Sequence, residues 1–535
     1  MLNVVRAAAV LILVQSIHST DPNDFLNRKY YSSSVLGLVK LLKMEQEFMV
    51  NFSIYANILQ EKVDNLNIFL DALKRPNHKT HNEREKFVSN PLNAFGLIRR
   101  LNQDWPKLQN YTQKPLGLEQ LTAMQDIVSA APESFDMNEK LKAMHRIETT
   151  YDLQPKDIAK GLLQRTEFNY RLLFRDCLAL AYHKFEIGEF KRSLLWFQEA
   201  LKLSTDGSLE IMNRLKEIEL KGFATAVAKR SIYLSNQGLT NETIDDMANS
   251  QLQDAKLMDL EQLISSELKQ WINDDSTTPP TDHNLGCRGL FPKKSNLVCR
   301  YNSSTNAFLK LAPLKMEEIS RDPYIVMFHE VISDKDIEEM KGEITEMENG
   351  WTSLGDPKEI VSRVYWIRKE SSFSKRINQR ISDMTGFKLE EFPAIQLANF
   401  GVGGYFKPHY DFYTDRLKEV DVNNTLGDRI GSIIFYAGEV SQGGQTVFPD
   451  LKVAVEPKKG NALFWFNAFD DSTPDPRSLH SVCPVLVGSR WSEYYEKMLY
   501  SSRHNYEYIL SAITKWLHYA PQLFVKPCSP RVHLE

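Results

Sequence analysis

The chain has 535 residues, enough at roughly 150 residues per domain for three or four separable cores. Lys and Arg number 65 against 69 Asp and Glu, a formal net charge of −4 with a pI near 6.4, which leaves no basic footprint for DNA or RNA. A mean hydropathy of −0.38 and the lack of an internal apolar run of about 20 residues argue against a membrane span, and 28 Phe, 21 Tyr and 8 Trp are too much core material for a disordered chain.

In chain order, Arg6 followed by the apolar run Ala7 to Val14, and then a polar stretch with small residues, reads as a secretory signal over residues 1–19. Sequons at Asn51, Asn110, Asn241, Asn302 and Asn423 are candidate glycosylation sites on a lumenal chain. The chain ends Arg531-Val-His-Leu-Glu535, without an endoplasmic-reticulum retrieval signal, so retention there needs another agent. Of the five cysteines, Cys177 falls within a helical pattern and reads as a buried thiol.

Residues 20–150 read as a helical amino-terminal domain. From Ser32 to Arg75 there is no proline, and Leu41, Met44, Phe48, Phe52, Tyr55, Leu59, Val63, Leu66, Leu70 and Leu73 recur at steps of three and four. That spacing predicts one long amphipathic helix, for a coiled-coil dimer or an antiparallel pair, or for a helix packed within its own domain. Residues 151–265 read as a tetratricopeptide-like domain. Leu180, Ala181, Gly188, Phe190, Ser193, Phe197, Ala200 and Leu201 fall where such a repeat wants its small, turn and aromatic residues, while Lys184 stands where an aromatic is usual. A concave helical face of this kind suits an extended peptide, though a plain helical hairpin would give a similar pattern.

Residues 266–320 form a linker region that opens on the polar, proline-containing run Asn273 to Asp282. Beyond it the period changes to two, and β-rich segments are expected at Tyr324 to Phe328, Ala394 to Asn399, Arg429 to Tyr436, Lys452 to Val455, Ala462 to Phe466 and Val482 to Val487, with helices near Asp334 to Met347 and Ser374 to Thr385. The fold class is thus multidomain, α followed by α+β, with residues 321–535 as a jelly-roll barrel or sandwich.

His-x-carboxylate occurs three times, at His81, His409 and His533, and carries no weight alone. His409-Tyr-Asp411 differs in context: it follows a strand and the turn Gly401-Val-Gly-Gly404, and strand alternation would put residues 409 and 411 on one face. His480, ahead of the strand near Val482, supplies a third ligand, and two imidazoles with one carboxylate suit Fe(II) oxygen chemistry. Arg490, ten residues on, can clamp a carboxylate bidentately. Gly401-Val-Gly-Gly404 lacks the third glycine of a dinucleotide fingerprint, and His329-Glu-Val-Ile-Ser333 lacks the second His of a zinc protease helix.

Phe400-Gly-Val-Gly-Gly-Tyr-Phe-Lys-Pro-His-Tyr-Asp411, Gly443-Gly-Gln-Thr-Val-Phe-Pro449, Pro457-Lys-Lys-Gly-Asn-Ala-Leu-Phe-Trp465 and His480-Ser-Val-Cys-Pro-Val-Leu-Val-Gly488 resemble the catalytic domain of the collagen prolyl 4-hydroxylase α subunit. Asn90-Pro-Leu-Asn-Ala-Phe95 and Arg100-Leu-Asn102 resemble its amino-terminal region, and Cys287-Arg-Gly289 with Cys299-Arg-Tyr301 the entry to its catalytic one. The resemblance implies a double-stranded β-helix holding Fe(II) on His409, Asp411 and His480, with 2-oxoglutarate anchored by Arg490. It implies O2-dependent hydroxylation of peptidyl proline at C4 in collagen-like X-Pro-Gly repeats, releasing succinate and CO2 and sustained by ascorbate, that is, a procollagen-proline 4-dioxygenase. It further implies disulfides Cys287–Cys299 and Cys483–Cys528, an α2β2 tetramer with protein disulfide isomerase as the β subunit, and residence in the lumen of the endoplasmic reticulum. The same chemistry on another proline-rich secreted substrate, or a silent peptide-binding subunit, are the competing readings.

The chain departs from the family in carrying Arg490 in place of the usual Lys and Phe at 400 and 406 in place of Tyr. The helical region around Gly222 to Ser231 also lacks the tyrosine-rich surface such proteins use to grip polyproline. About twenty extra residues, near Ser492 to Ala512, separate Trp491 from Lys515-Trp516. They are either a loop at the barrel rim or retained intronic sequence absent from the protein.

Overall fold

The computed structural model describes residues 31, 35–72, 78–203, 210–236, 239–272, 279–292, 296–345, 352–353, 360–367, 370–389, 395–412, 428–438, 440–471, 473–488, 512–518 and 522. The signal at 1–19, Asn423, Arg490, Cys528 and residues 492–511 of the insert lie outside them. The chain divides into two compact units, Gly37–Glu133 and a larger one that takes in the chain from Ser134 onward. The boundary therefore falls before, not after, the helix that ends at Tyr151, and that helix belongs with the larger unit.

The smaller unit contains α1 (Val35–Ala72), α2 (His81–Val88), α3 (Pro91–Arg99), α4 (Trp105–Gln113) and α5 (Leu118–Ser129). Thr80 and Glu83 cap α2 reciprocally, and Asn90 caps α3 with Pro91 at its first position, which is why Asn90-Pro punctuates the sequence there. Lys62 Nζ donates to Thr112 O at 2.9 Å and ties α1 to α4. Phe52, Val63, Phe95, Ile98 and Trp105 remain exposed.

The larger unit begins with α6 (Ser134–Tyr151), α7 (Pro155–Ala159) and a short hairpin of β1 (Leu162–Leu163) and β2 (Thr166–Glu167). A helical hairpin follows as α8 (Phe174–Glu186) and α9 (Phe190–Lys202), turned by Gly188 at φ +83°. Ala181, Ser193, Phe197 and Ala200 of these two helices are fully buried. Lys184 is also fully buried, and its ammonium lies 2.9 Å from both Glu148 and Glu189 and 2.6 Å from His145 Nδ1. An ion cluster thus fills the space of the missing aromatic. Then come α10 (Glu210–Ser235), α11 (Asn241–Leu252), α12 (Leu257–Trp271) and α13 (Asp282–Cys287), with α12 ending at Trp271, past the expected end at 265.

The remainder is β-rich: β3 (Cys299–Asn302), β4 (Leu314–Arg321), β5 (Tyr324–Phe328), α14 (Asp334–Thr345), β6 (Thr352–Ser353), β7 (Ile360–Val361), β8 (Arg363–Ile367), α15 (Ser372–Thr385), β9 (Ile395–Asn399), β10 (Tyr405–His409), β11 (Arg429–Phe435), β12 (Val440–Gly443), β13 (Thr446–Phe448), β14 (Val453–Val455), β15 (Ala462–Phe466), β16 (His480–Val482), β17 (Val485–Gly488) and β18 (Ala512–His518). One sheet has the order β3-β4-β5-β15-β11-β18-β9-β8-β6, a second β14-β13-β16-β10-β7, and β12 pairs with β17. Alternation along β5, β11, β15 and β18 directs Val326, Phe328, Ile433, Phe435, Phe464, Ile513 and Leu517 into a core with Ile337, Met340, Phe373 and Ile377 of α14 and α15. The opposite face, through Ile325, Met327, Leu463 and Trp465, packs on Phe448, Val453 and Val455 of the five-stranded sheet. The residues after the insert are not peripheral: β18 sits between β9 and β11, with Ala512 already paired to Ala398.

The disulfide pairing differs from expectation. Cys287 is bonded to Cys483, with Cα atoms 5.7 Å apart, and Cys299 is a free, exposed thiol. The reason is packing: α13 lies against β13 and β14, and Gly286 presses on Val447 so closely that a Cβ there would come within 2.6 Å. That docking carries Cys287 to the end of β16, whereas Cys299 starts an edge strand of the other sheet. Cys483 is thereby used, and its expected pairing with Cys528 does not hold either. Cys177 is buried, with its thiol pushed up to about 12 by burial.

Candidate active site

His409, Asp411 and His480 come together between the two sheets, their ligand atoms all within 4.8 Å of one another. His409 is the last residue of β10 and Asp411 lies just past the strand end, so a bend, not continued alternation, brings them to one face. His480 opens β16, which pairs antiparallel with β10 in a register that sets His409 directly opposite His480. Asp411 Oδ1 is 3.7 Å from His409 Nε2, and its Oδ2 is 3.7 Å from His480 Nε2.

Backbone carbonyls orient both rings. His409 Nδ1 lies 2.8 Å from Lys407 O and His480 Nδ1 3.0 Å from Ser478 O. A carbonyl only accepts, so each Nδ1 carries the hydrogen and each Nε2 presents its lone pair toward the carboxylate. Asp411 is held in turn: Ser432 Oγ donates to its Oδ2 at 2.5 Å, and Asn467 Nδ2 donates to Ser432 Oγ at 2.8 Å. Arg429 Nη1 reaches the Asp411 carbonyl at 3.4 Å while its guanidinium lies 4.1 Å over the Trp516 ring. Burial and the neighbouring His480 keep the His409 imidazole far below its ordinary value, hence neutral. Burial opposes ionisation of Asp411, but the two histidines, Ser432 and Arg429 together hold it below the usual carboxylate range. Two imidazoles and a carboxylate are the donor set that fits a divalent iron with open positions.

A cavity of about 70 Å³ adjoins the three residues, lined by Gln396, Phe400, Phe406, Tyr436, Thr446 and Thr514 among others. Phe406 lies flat on His409, ring centroids 3.5 Å apart and planes 15° from parallel. Tyr436 and Thr446 share a hydrogen bond of 2.9 Å, and burial pushes the Tyr436 phenol up to about 12. Along β18, Thr514 and Trp516 face this cavity while the buried Lys515 lies on the opposite side with Ile513 and Leu517, its ammonium lowered to about 8 by burial.

The sequence-predicted triad is therefore assembled, and Arg490 lies outside the described residues. Ser432, Asn467, Arg429, Tyr436 and Thr446 were missed. The signal for two of them was present: Ser432 on β11 and Tyr436 just past its end share one alternating face with Ile434, and that face turns toward Asp411 and the cavity.

Residues 395–494 match the model of the 2OG-Fe(II) oxygenase superfamily, a span that includes all three candidate ligands. Residues 34–165 match the N-terminal region of the prolyl 4-hydroxylase α subunit. The chain is 28% identical to human prolyl 4-hydroxylase subunit alpha-1, the alignment covering 93% of this chain and 95% of that one. It is 26% identical to subunit alpha-2 of Caenorhabditis elegans, covering 93% of each. A viral collagen prolyl hydroxylase from Paramecium bursaria Chlorella virus-1 is similar over 36% of this chain and 96% of its own, at 20% identity and a TM-score of 0.27.

Sheet pair, donor set and matched region define a 2-oxoglutarate- and Fe(II)-dependent oxygenase. With both regions matched and similarity running almost end to end at 26–28% identity, the chain is similar to prolyl 4-hydroxylase α subunits along nearly its whole length.

Proposed function

We propose that the protein is a procollagen-proline 4-dioxygenase that hydroxylates C4 of peptidyl proline in collagen-like X-Pro-Gly repeats. The observation that carries this reading is the His409, Asp411 and His480 set on the wall of a buried cavity, in a chain whose relatives are prolyl 4-hydroxylase α subunits along its length. His409, Asp411 and His480 would hold iron(II), which together with 2-oxoglutarate would activate O2 as the oxidant that turns C4–H into C4–OH while 2-oxoglutarate becomes succinate and CO2. The protein's part is orientation and exclusion of water. Lys407 and Ser478 carbonyls fix the imidazole tautomers, Ser432 and Asn467 fix the carboxylate, and Phe400, Phe406 and Val482 give the cavity an apolar wall. Arg490 anchors the far carboxylate of 2-oxoglutarate, with the Thr446 and Tyr436 hydroxyls as neutral donors on the lining. Ascorbate would serve as the reductant that keeps such a site in the iron(II) state.

The barrel is read as a double-stranded β-helix on the two facing antiparallel sheets, and the helices from Phe174 to Trp271 as the peptide-binding module. The exposed apolar residues of α1 and α3 fit a dimerising, coiled-coil role for the amino-terminal unit. Relatives named as α subunits support a non-identical partner, here protein disulfide isomerase in an α2β2 tetramer. Retention by that partner accounts for residence in the endoplasmic reticulum lumen after cleavage of the signal at 1–19. Asn110 and Asn241 are exposed, as glycan acceptors must be.

The test is succinate release from 2-oxoglutarate by the purified complex, with and without a Pro-Pro-Gly repeat peptide and with Asp411→Ala as control. Peptide-dependent release that vanishes in the control is expected. Turnover on other proline-rich peptides alone would move the substrate assignment, and none at all would overturn the reading.

A further inference from the structure

The helix α6 has two working faces. One joins the repeat: Glu148 takes Lys184 at 2.9 Å, Arg192 at 2.7 Å and Trp196 Nε1 at 3.2 Å. The other, spaced by three to five residues along Lys140, Ala143, Arg146 and Tyr151, lies on the catalytic sheets. Arg146 Nε donates to Gly403 O at 3.2 Å and its guanidinium stacks 4.7 Å from the Tyr405 ring. Tyr151 donates its hydroxyl hydrogen to Pro484 O at 2.6 Å. Ala143 abuts Gly403 (φ +77°), where an added Cβ would come within 2.4 Å, so glycine is needed there for closeness as well as conformation.

These anchor points are neighbours of the metal-ligand residues on both strands. Gly403 N donates to Val485 O at 2.8 Å and Val485 N to Gly404 O at 3.0 Å, so the turn before β10 and the link after β16 are stitched together under the helix. Phe406 and Val485 on either side line the cavity. A second dock lies on the same rim, where Gln442 of β12 donates to Thr166 of the β1–β2 hairpin at 2.5 Å. At the far end of α6, Arg288 donates to the carbonyls of Thr150 and Thr149 at 2.7 and 3.0 Å, holding the helix terminus with a cation.

We infer that α6 is a positioning element of the active site: through Arg146 and Tyr151 it holds the Gly401–Gly404 turn and the Pro484–Val485 link in the register that sets His409 opposite His480. The helical module is then docked on the oxygenase sheets through α6 and is not a separately tethered receptor. This rests on the functional reading above only for its consequence, metal binding. The contact itself is independent of it.

The experiment uses the full-length complex, with cobalt(II) under anaerobic conditions as a redox-stable probe. Arg146→Ala and the milder Tyr151→Phe should each weaken cobalt binding by about tenfold, the scale seen when groups supporting a ligand are removed. Both should raise amide exchange at 402–409 and 482–488, and Arg146→Lys should recover most of both effects. Arg192→Ala, which disturbs the ion cluster of the repeat without touching the sheets, should leave exchange in those two segments unchanged. If the double variant Arg146→Ala/Tyr151→Phe matches wild type in exchange at both segments, the inference is overturned. If wild type fails to bind cobalt, the functional reading fails while exchange still decides the clasp.

Discussion

Ser432 is the most informative residue to remove. It is fully buried on β11, donates to Asp411 Oδ2 at 2.5 Å and accepts from Asn467 Nδ2 at 2.8 Å. Ser432→Ala keeps the strand and nearly the volume, so the perturbation is confined to one hydroxyl. A hydrogen bond to a charged acceptor contributes about 1.5–3 kcal/mol, which is about one to two powers of ten in an equilibrium constant. Asp411 then has neither its donor nor a fixed rotation, and cobalt(II) affinity should fall about 10- to 100-fold. Separately, the buried Asn467 amide loses its acceptor, which should lower unfolding free energy by about 1–3 kcal/mol. Equilibrium titration with cobalt reads the first effect and denaturant unfolding of the metal-free protein the second. A variant that binds cobalt as tightly as wild type would refute the view that Ser432 holds the carboxylate.

Other outcomes follow from the same structure. Arg490→Ala should raise the Michaelis constant for 2-oxoglutarate far more than that for peptide, and Arg490→Lys should be tolerated; an unchanged cofactor constant would move the anchor elsewhere. Lys184→Ala should destabilise the helical module by about 1–3 kcal/mol because it removes one partner of the buried Glu148, which keeps Arg192 and Trp196, and an unchanged denaturant midpoint would contradict that. His145 is lowered to about 3 by burial and by the Lys184 ammonium, so below its ordinary value of 6.5 the unfolded chain binds a proton that the folded one refuses. Its contribution is therefore complete above pH about 6.5 and declines as pH falls toward 3; unfolding at pH 7 and 4.5 should show a smaller loss in His145→Gln than in wild type. Deleting Ser492 to Ser511 while keeping Ala512, which pairs with Ala398, should preserve folding and activity, since loop closure depends only weakly on length. Loss of assembly, with peptides from the segment present in digests of the native protein, would make it a structural part.

Local pattern is what the sequence could express. The three-and-four spacing of α1, the paired helices around Gly188, and the short apolar β-rich runs at Tyr324–Phe328 and Ala462–Phe466 were legible because each follows from a local pattern that neighbouring residues alone define. His409, Asp411 and His480 were legible for a different reason: few chemistries use that residue set, and their motifs carry a family resemblance. What the tertiary structure decided are pairings between distant segments. Cys287 meets Cys483 across 196 residues because α13 docks on β13 and β14, a contact that no spacing rule contains. Ser432 and Asn467 look like ordinary polar residues in a strand and a loop until β11 faces Asp411. Lys184 looked like a defect in a repeat, and became a buried charge only because α6, more than thirty residues earlier, brings Glu148 to it. The same helix reaches Gly403 and Pro484 more than 250 residues later in the chain. A residue's neighbours in sequence set its local conformation, while the groups that satisfy a buried charge or hydrogen bond are chosen by which surfaces pack, and that choice exists only in the folded molecule.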